Sequence, residues 1–383
     1  MGRSVFRCER SLLCDRMEGY ELSTGYAGVS HLENFAITHR RLTESLTSVI
    51  IGADDTIEGL LLGIYAGGHV LLDGPPGVGK TTLAKAMSKL VGGYRSGDRM
   101  PGDSKPGRVQ FTPDLLPMDI VGNRIYKPGA PDGNDWVEQY GPIDSNFLLI
   151  DEVNRAPGKV QSALLEPMAE GEFTLPGGKP RKLKRPFHVL ATRNPTDTTG
   201  TFPLSNALKD RFIISSTMPY AMDSGTVEGI LLKHEHAQAR ARESEYGSGN
   251  VINAEPLEKL EVVVSIDEFK RMQDMVSEIP VPSHVLSTVS RAIAHLSNRS
   301  SQDSGELEGS RISPRAAIAL IRVAKASAMT HASQVGGFGE QGQVLQVDHV
   351  RAVAERVLRH RGNDFGDEQE LKNLINQAFS NAS

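Results

Sequence analysis

The chain has 383 residues, 39% of them hydrophobic, and a formal net charge of −5. That length suits two domains, each with enough apolar residues to bury a core. The acidic balance excludes a global field that would pull the protein towards nucleic acid, although it leaves room for a local basic patch.

Residues 1–32 carry little pattern and read as a peripheral extension. The opening MGRSVFRCERSLLCDR is charged every few residues, where a secretory signal needs an uninterrupted apolar run. No stretch approaches the roughly 20 apolar residues that span a bilayer, so a cytoplasmic protein is predicted. Cys8 and Cys14, the chain's two cysteines, have neither CxxC spacing nor a matching histidine pair. They read as bystander thiols rather than zinc ligands.

An amphipathic helix is predicted from Leu32 to Ile51, and a second apolar helix from Ile57 to Ala66, before Gly67-Gly68. Short apolar runs follow at His69–Leu72, Arg108–Phe111, Phe147–Asp151, Phe187–Thr192 and Phe212–Thr217, alternating with helical segments. Runs of that length, bounded by turn signals, are what buried parallel strands look like. Their alternation with helices predicts a doubly wound α/β sheet. After Pro219 the spacing turns helical, in Val227–Arg242, Ile266–Ser277, Pro282–Leu296, Pro314–Met329 and Asp348–His360. Residues 243–253 and 336–342 read as exposed loops. The chain thus divides into an extension (1–32), an α/β region (33–220) and a mostly helical region (221–383).

The strongest chemical signal is GPPGVGKT, from Gly74 to Thr81, directly after the apolar HVLLD and before the helical TTLAKAMSKL. Glycines let backbone N–H groups curl round phosphate oxygens, and the helix N-terminus adds its positive end. The nucleotide-binding set is therefore Gly74, Pro75, Pro76, Gly77, Val78, Gly79, Lys80, Thr81 and Thr82. Lys80 is placed to reach the β- and γ-phosphates, and Thr81 to ligate Mg²⁺. A second apolar run, NFLLIDE, ends in Asp151 and Glu152. Asp151 can hold the metal, and Glu152 can polarise the attacking water. In HVLATRNP, Asn194 stands at the C-terminal end of a further strand, the edge at which ligands sit in doubly wound sheets. Arg211, just before the last strand, is either an ordinary surface arginine or an arginine finger supplied across a subunit interface. Ser313 and Pro314 suit the start of a helix. That start puts Arg315 in the first turn, where the helix dipole disfavours a cation and an anionic partner is implied.

Together these motifs resemble the AAA+ superfamily, and in detail its MoxR branch. The resemblance runs from about Leu32 to His360. It is carried by GGHVLLDGPPGVGKTTLAKA, VQFTPDLLPMDIVG, DEVNRAPGKVQSALLEPMAEG, LATRNPTDTTGTFPLSNALKDRF, SPRA and VLRHR. It implies a five-stranded αβα core with a C-terminal helical lid, ATP and Mg²⁺ as cofactors, and a homo-oligomeric, hexameric ring with ATP between subunits. It assigns Lys80 and Thr81 to Walker A, Asp151 and Glu152 to Walker B, Asn194 to sensor 1, Arg211 to the finger and Arg315 to sensor 2. It also implies a helix-2 insertion at about 114–142 and a hairpin at about 172–186 before the sensor 1 strand. Three departures stand out. Arg193 replaces the family's glutamine. Ser205, Asn206 and Lys209 alter the segment before Arg211. GSRISPR replaces GASPR, which makes Arg311 a second candidate for sensor 2.

The function implied is a chaperone-like ATPase acting on a protein client with a von Willebrand factor A domain partner. The alternative is a nucleic-acid motor, favoured only by the basic cluster Lys179, Arg181, Lys182, Lys184 and Arg185. The acidic balance and the lack of an aromatic platform oppose it. A static nucleotide-bound scaffold would need neither Glu152 nor Arg211.

Overall fold

The computed structural model describes residues 27–92, 106–128, 135–197, 199–219, 259–300, 312–335, 344–361 and 368–382, with isolated positions between 225 and 257. Cys8, Cys14, Arg311, the predicted loops at 243–253 and 336–342, and most of the helix predicted at 227–242 lie outside the described residues.

The chain opens with helices α1 (Ala27–Val49) and α2 (Asp54–Tyr65), strand β1 (His69–Asp73), helix α3 (Lys80–Leu90) and the short β2 (Val91–Gly92). Then come β3 (Gly107–Gln110), α4 (Pro117–Val121), β4 (Gly122–Tyr126), β5 (Trp136–Tyr140) and β6 (Phe147–Asp151). A single 3-10 turn, Val153–Arg155, leads into α5 (Gly158–Ser162), α6 (Leu165–Glu170), β7 (Glu172–Thr174), β8 (Pro180–Lys182) and β9 (His188–Arg193). The α/β part closes with α7 (Asn206–Lys209) and β10 (Phe212–Thr217). Strand β11 (Val264–Ser265) introduces helices α8 (Ile266–Glu278), α9 (Ser283–Ser300), α10 (Pro314–Val335), α11 (Val347–Leu358) and α12 (Glu368–Ala382).

The main sheet has five strands in the order β10-β1-β9-β6-β3, every neighbouring pair parallel. Its composition explains why both faces are covered. In β1, Val70 and Leu72 point into one apolar cluster and Leu71 into the other. In β6, Phe147 and Leu149 alternate with Leu148 and Ile150 in the same way. A strand that is apolar on both sides must be sandwiched between layers. One layer is α1, α2 and α3. The other is built from residues of the α4 to α7 segments, such as Ile120, Val160, Leu164 and Leu208. The fold is an α/β sandwich around a five-stranded parallel sheet, with a C-terminal helical region.

Among the described residues, that helical region shares its core with the sheet. Phe269, Leu320, Val323, Val353 and Phe379 belong to the same buried cluster as Leu42, Leu60 and Val70. Helix starts follow local chemistry: Ser265 Oγ accepts from the Glu268 N–H to cap α8, and Ser205 Oγ accepts from the Leu208 N–H to cap α7. Two small antiparallel hairpins, β4–β5 and β7–β8, project from the α/β part.

Several elements differ from the sequence reading, among them the short parallel pair β2–β11, where no strand is expected. Helix α1 begins at Ala27 rather than Leu32, in a turn whose residues carry no apolar stripe to mark it. Helix α12 has no counterpart among the predicted elements, although Leu371, Ile375, Ala378, Phe379 and Ala382 are buried at helical spacing.

Candidate nucleotide site

The site stands at the C-terminal edge of the sheet, where β1, β6 and β9 deliver Asp73, Asp151 and Arg193 side by side. After Asp73 the chain turns through Gly74, Gly77 and Gly79, all with positive φ (150°, 82° and 93°), and enters α3 at Lys80. A side chain at Gly74 would meet the Met218 carbonyl at 3.0 Å, whereas one at Gly77 would meet nothing within 4 Å. Gly74 is therefore fixed by close packing. Gly77 serves the left-handed backbone alone and borders open space. Pro76 and Gly77 are exposed, and Pro75 and Val78 are half-buried. The loop thus forms an open concavity of backbone at a helix N-terminus, which suits a phosphate chain.

The Lys80 ammonium folds back across this loop and donates to the carbonyls of Gly74 and, at 2.6 Å, Pro75. Its burial lowers its pKa, opposed by the nearby carboxylates of Asp73 and Glu152. Thr81 Oγ donates to Asp151 Oδ1 at 2.6 Å, so the two residues proposed from sequence as metal ligands already touch. Asp151 is nearly buried, and its other oxygen is paired with Arg108 Nε at 2.7 Å. Thr82 follows on the same helical turn, half-buried.

Glu152 is the one non-glycine among the described residues with positive φ, at 56°. A left-handed backbone on such a residue costs energy and marks functional sites more often than ordinary turns. Its N–H donates to Thr192 Oγ at 3.0 Å, which ties this bend to β9. Its carboxylate accepts from Gln110 Nε2 at 3.1 Å and is paired with Arg155 Nε at 2.7 Å. Arg155 reaches Asp197 as well, at 2.7 Å. Asn194 lies just past the end of β9. Its Oδ1 accepts from the Thr196 hydroxyl at 2.8 Å, and its carbonyl accepts from Asn154 Nδ2 at 3.2 Å.

Arg211 and Arg315 do not join this cluster. Strand β10 runs parallel to β1 with Phe212 beside His69 and Thr217 beside Asp73. Arg211 therefore sits at the N-terminal edge of the sheet, roughly 13 Å or more along the strands from Asp73 at about 3.3 Å per residue. Its guanidinium donates to the carbonyls of Leu165 at 3.0 Å and Ala207 at 2.7 Å. Arg315 is exposed and lies 3.5 Å from Asp210, which also accepts from the Ser313 hydroxyl at 2.7 Å. The anionic neighbour implied for Arg315 by its place in the first helical turn is, within this chain, Asp210.

Residues 69–214 match the family described as "ATPase family associated with various cellular activities (AAA)". The protein YeaC of Bacillus subtilis is 33% identical over 76% of this chain and 79% of its own length. The chain belongs to the AAA+ ATPases. Chaperone MoxR1 of Mycobacterium tuberculosis is 42% identical, over 48% of this chain and 45% of that protein. The match thus spans under half of that relative. Protein MoxR of Paracoccus denitrificans is 29% identical over 87% of this chain and 90% of its own. A solved candidate ATPase from Cytophaga hutchinsonii superposes with a TM-score of 0.69 at 28% identity, covering 92% of this chain and 96% of that one.

The MoxR-named relatives support an ATPase of the MoxR type, an ATP-hydrolysing P-loop enzyme, and the grouping of Lys80, Thr81, Asp151 and Glu152 at one sheet edge fits that chemistry. The departure at Arg193 also finds its place. Arg193 makes a two-pronged ion pair with Asp73, Nε to Oδ1 at 2.6 Å and Nη2 to Oδ2 at 2.8 Å. Ser215 Oγ adds a third contact to Asp73 at 2.7 Å. Neither Asp73 nor Thr192 stands among the site residues expected from the sequence. Asp73 is the last residue of an apolar strand, and such a carboxylate by itself signals only a strand end.

Proposed function

We propose that this chain binds ATP with Mg²⁺ at the edge formed by β1, β6 and β9, and hydrolyses it between the subunits of a homo-oligomeric ring. The observation that carries the reading is the contact of Thr81 with Asp151, with the strained Glu152 as the next residue. Thr81 and Asp151 offer a hydroxyl and a carboxylate oxygen, hard donors of the kind that magnesium takes. Bound Mg²⁺ would neutralise charge on the phosphates. The loop from Gly74 to Gly79 cradles those phosphates, Lys80 swings from its carbonyls to their oxygens, and Thr82 extends the helix N-terminus. Glu152 orients and deprotonates the attacking water. Asn194, beside it at the end of β9, helps to position that water. Arg211 stands at the far edge of its own sheet, so it serves as the finger for the neighbouring subunit, and Arg315 shares that face.

The proposed division of the chain keeps 33–220 as the nucleotide-binding core, with a helix-2 insertion at about 114–142 and a hairpin at about 172–186. Residues 221–383 form the helical lid, and 1–32 an extension. The hairpin β4–β5 exposes Ile125, Tyr126, Trp136 and Val137. Apolar side chains displayed on a projecting hairpin suit contact with protein rather than with nucleic acid. With chaperone MoxR1 as a relative, we assign a remodelling role on a protein client, with a von Willebrand factor A domain partner, in the cytoplasm. No helix among the described residues is long and apolar enough to cross a membrane. Of the basic cluster that favours the motor reading, Arg181 is engaged within the chain, paired with Asp144 at 3.2 Å and lying over the Tyr140 ring at 4.0 Å.

The test is ATPase rate per subunit against protein concentration, for the unmodified chain, Glu152→Gln and Arg211→Ala. The rate should rise with concentration. Glu152→Gln should lose about 10²–10⁴-fold, the share typical of a general base, while still binding ATP. A rate independent of concentration and indifferent to Arg211→Ala would overturn the trans-acting ring.

A further inference from the structure

A cavity of about 620 Å³ opens at the N-terminal edge of the main sheet, the edge opposite the phosphate loop. The core supplies its floor through the starts of β1 and β9, at His69 and His188. Helices α8 and α10 supply its wall. Its charge is one-sided. Arg185, Lys270, Arg322 and Lys325 line it against the single carboxylate of Asp274. A chain with a formal net charge of −5 thus gathers a net of three positive charges in one concavity.

The two histidines add no charge. His188 Nδ1 meets the Gly68 carbonyl at 2.7 Å, and its Nε2 takes the Gln273 amide at 2.9 Å. His69 Nε2 meets the Met168 carbonyl at 3.1 Å, and its Nδ1 accepts from the Val189 N–H at 3.0 Å. Each ring therefore has one donating and one accepting nitrogen, the neutral form.

Capping accounts for part of this cationic set. Arg322 donates to the Ala66 carbonyl at the end of α2, and Lys325 to the Ser277 carbonyl at the end of α8, both at 2.6 Å. Each bond engages one donor, whereas a guanidinium carries five and an ammonium three. Among the described residues, neither Arg185 nor Lys270 caps a helix. Both are exposed, and no carboxylate partner is found for either among the described residues. Met168, Leu183 and Phe187 supply an apolar side to the same concavity. A volume of this size is that of an ordinary small-ligand site, and a cleft lined by one sign of charge concentrates the opposite sign.

We propose that this cavity is a second ligand site, distinct from the nucleotide edge, for a small anion carrying two or more phosphate or carboxylate groups. Because core and helical elements both line it, an occupant ties α8 and α10 to the sheet.

The experiment is calorimetric titration of the full chain carrying Lys80→Ala, which removes phosphate-loop binding from every copy. Inorganic tripolyphosphate and citrate serve as separate probes, at low salt. The expected result is one site per subunit for at least one probe. That site should weaken at least tenfold when Arg185→Ala and Lys270→Ala are added, with Lys270→Glu alone giving a similar loss. ADP binding by the chain with Lys80 intact should be unaffected by either cavity change, which separates a lost site from a lost fold. Binding of both probes that disappears with Lys80→Ala, or that survives both cavity variants undiminished, would overturn the proposal.

Discussion

Arg193 closes a two-pronged ion pair on Asp73, with Nε and Nη2 at 2.6 and 2.8 Å from the two carboxylate oxygens. The pair joins the residue immediately before the phosphate loop to the residue immediately before Asn194, on strands that lie side by side. The Arg193 carbonyl also accepts from the Gly74 N–H at 3.3 Å. The end of β9 and the entrance to the loop therefore move as one piece.

Replacing Arg193 with the family's usual glutamine leaves Asp73 nearly buried with Ser215 as its main partner. Arg193 is about a quarter exposed, so solvent weakens the pair. The expected loss for Arg193→Gln is about 1–2 kcal/mol of stability. Adding Asp73→Asn should recover part of it, since no buried carboxylate then remains, while Lys80 gives up a nearby counter-charge. Chemical denaturation of the two single variants and the double would show this as strong coupling. Additive losses would mean that the pair contributes little.

The five strands and their order of appearance were legible because each is a short apolar run with turn residues at both ends. The loop and the Asp-Glu pair were legible because their spacing is tied to phosphate chemistry. What escaped is set by tertiary contact. Glu152's left-handed backbone depends on Thr192 holding its N–H from another strand. The pairing of Arg193 depends on which strand lies beside β1. That Arg211 and Lys80 stand at opposite sheet edges follows from one preceding and the other following a strand of a parallel sheet, and the register of β10 on β1 bears it out. Helix α12 shows the converse. Its stripe is present in the sequence, but Glu368, Gln369, Lys372, Asn373 and Gln377 dilute it.

Gly63 inverts the usual ranking of alanine over glycine within a helix. It lies in α2, where alanine is favoured by about 1 kcal/mol. A Cβ there would come within 2.6 Å of a Val70 methyl and 2.7 Å of an Ile214 methyl, on two adjacent strands. Overpacking of that kind costs about 1–3 kcal/mol, so Gly63→Ala should lower the midpoint of thermal unfolding. Gly158→Ala, at the start of α5 with nothing within 4 Å, is the control and should be neutral or stabilising. A Gly63→Ala protein as stable as the control would show that the α2 contact gives way freely.

Acid should destabilise the fold through His69 and His188. Burial pushes their pKa values down to about 3 and about 4, His69 being lowered further by its neighbour His188. The unfolded chain, near 6.5, binds protons that the folded chain refuses. The stabilisation is therefore complete above pH 6.5 and is lost as pH falls towards the folded values. Between pH 6 and pH 5 the loss is roughly 1.4 kcal/mol per pH unit for each ring. Denaturation midpoints measured across that range should fall. The slope should be shallower in His188→Gln and shallower again when His69→Gln is added. An unchanged slope in both variants would assign the acid sensitivity to other groups.

Asp210 is one place where the α/β part and the helical region meet electrostatically, beside the pairing of Arg356 with Asp55 and Glu58, and the consequences of removing it differ from those of removing its exposed partner. Its carboxylate accepts from the Ser313 hydroxyl at 2.7 Å and stands 3.5 Å from Arg315 and 3.8 Å from Arg361. Arg361 is only 4% exposed. Burial lowers its pKa to about 10, against the attraction of Asp210, and its Nη2 holds the Phe212 carbonyl at 2.7 Å. Asp210→Asn strands that guanidinium without a counter-charge and should cost about 2–4 kcal/mol, since an unpaired buried charge is the expensive outcome. Arg315, 59% exposed, contributes an ion pair of the kind that adds little to stability. Arg315→Ala should therefore leave the denaturation midpoint nearly unchanged while lowering ATPase activity in assembled protein. Equal midpoints for Asp210→Asn and Arg315→Ala would refute the assignment of Arg361 as the residue that Asp210 holds. A full ATPase rate in Arg315→Ala would remove Arg315 from the shared face with Arg211.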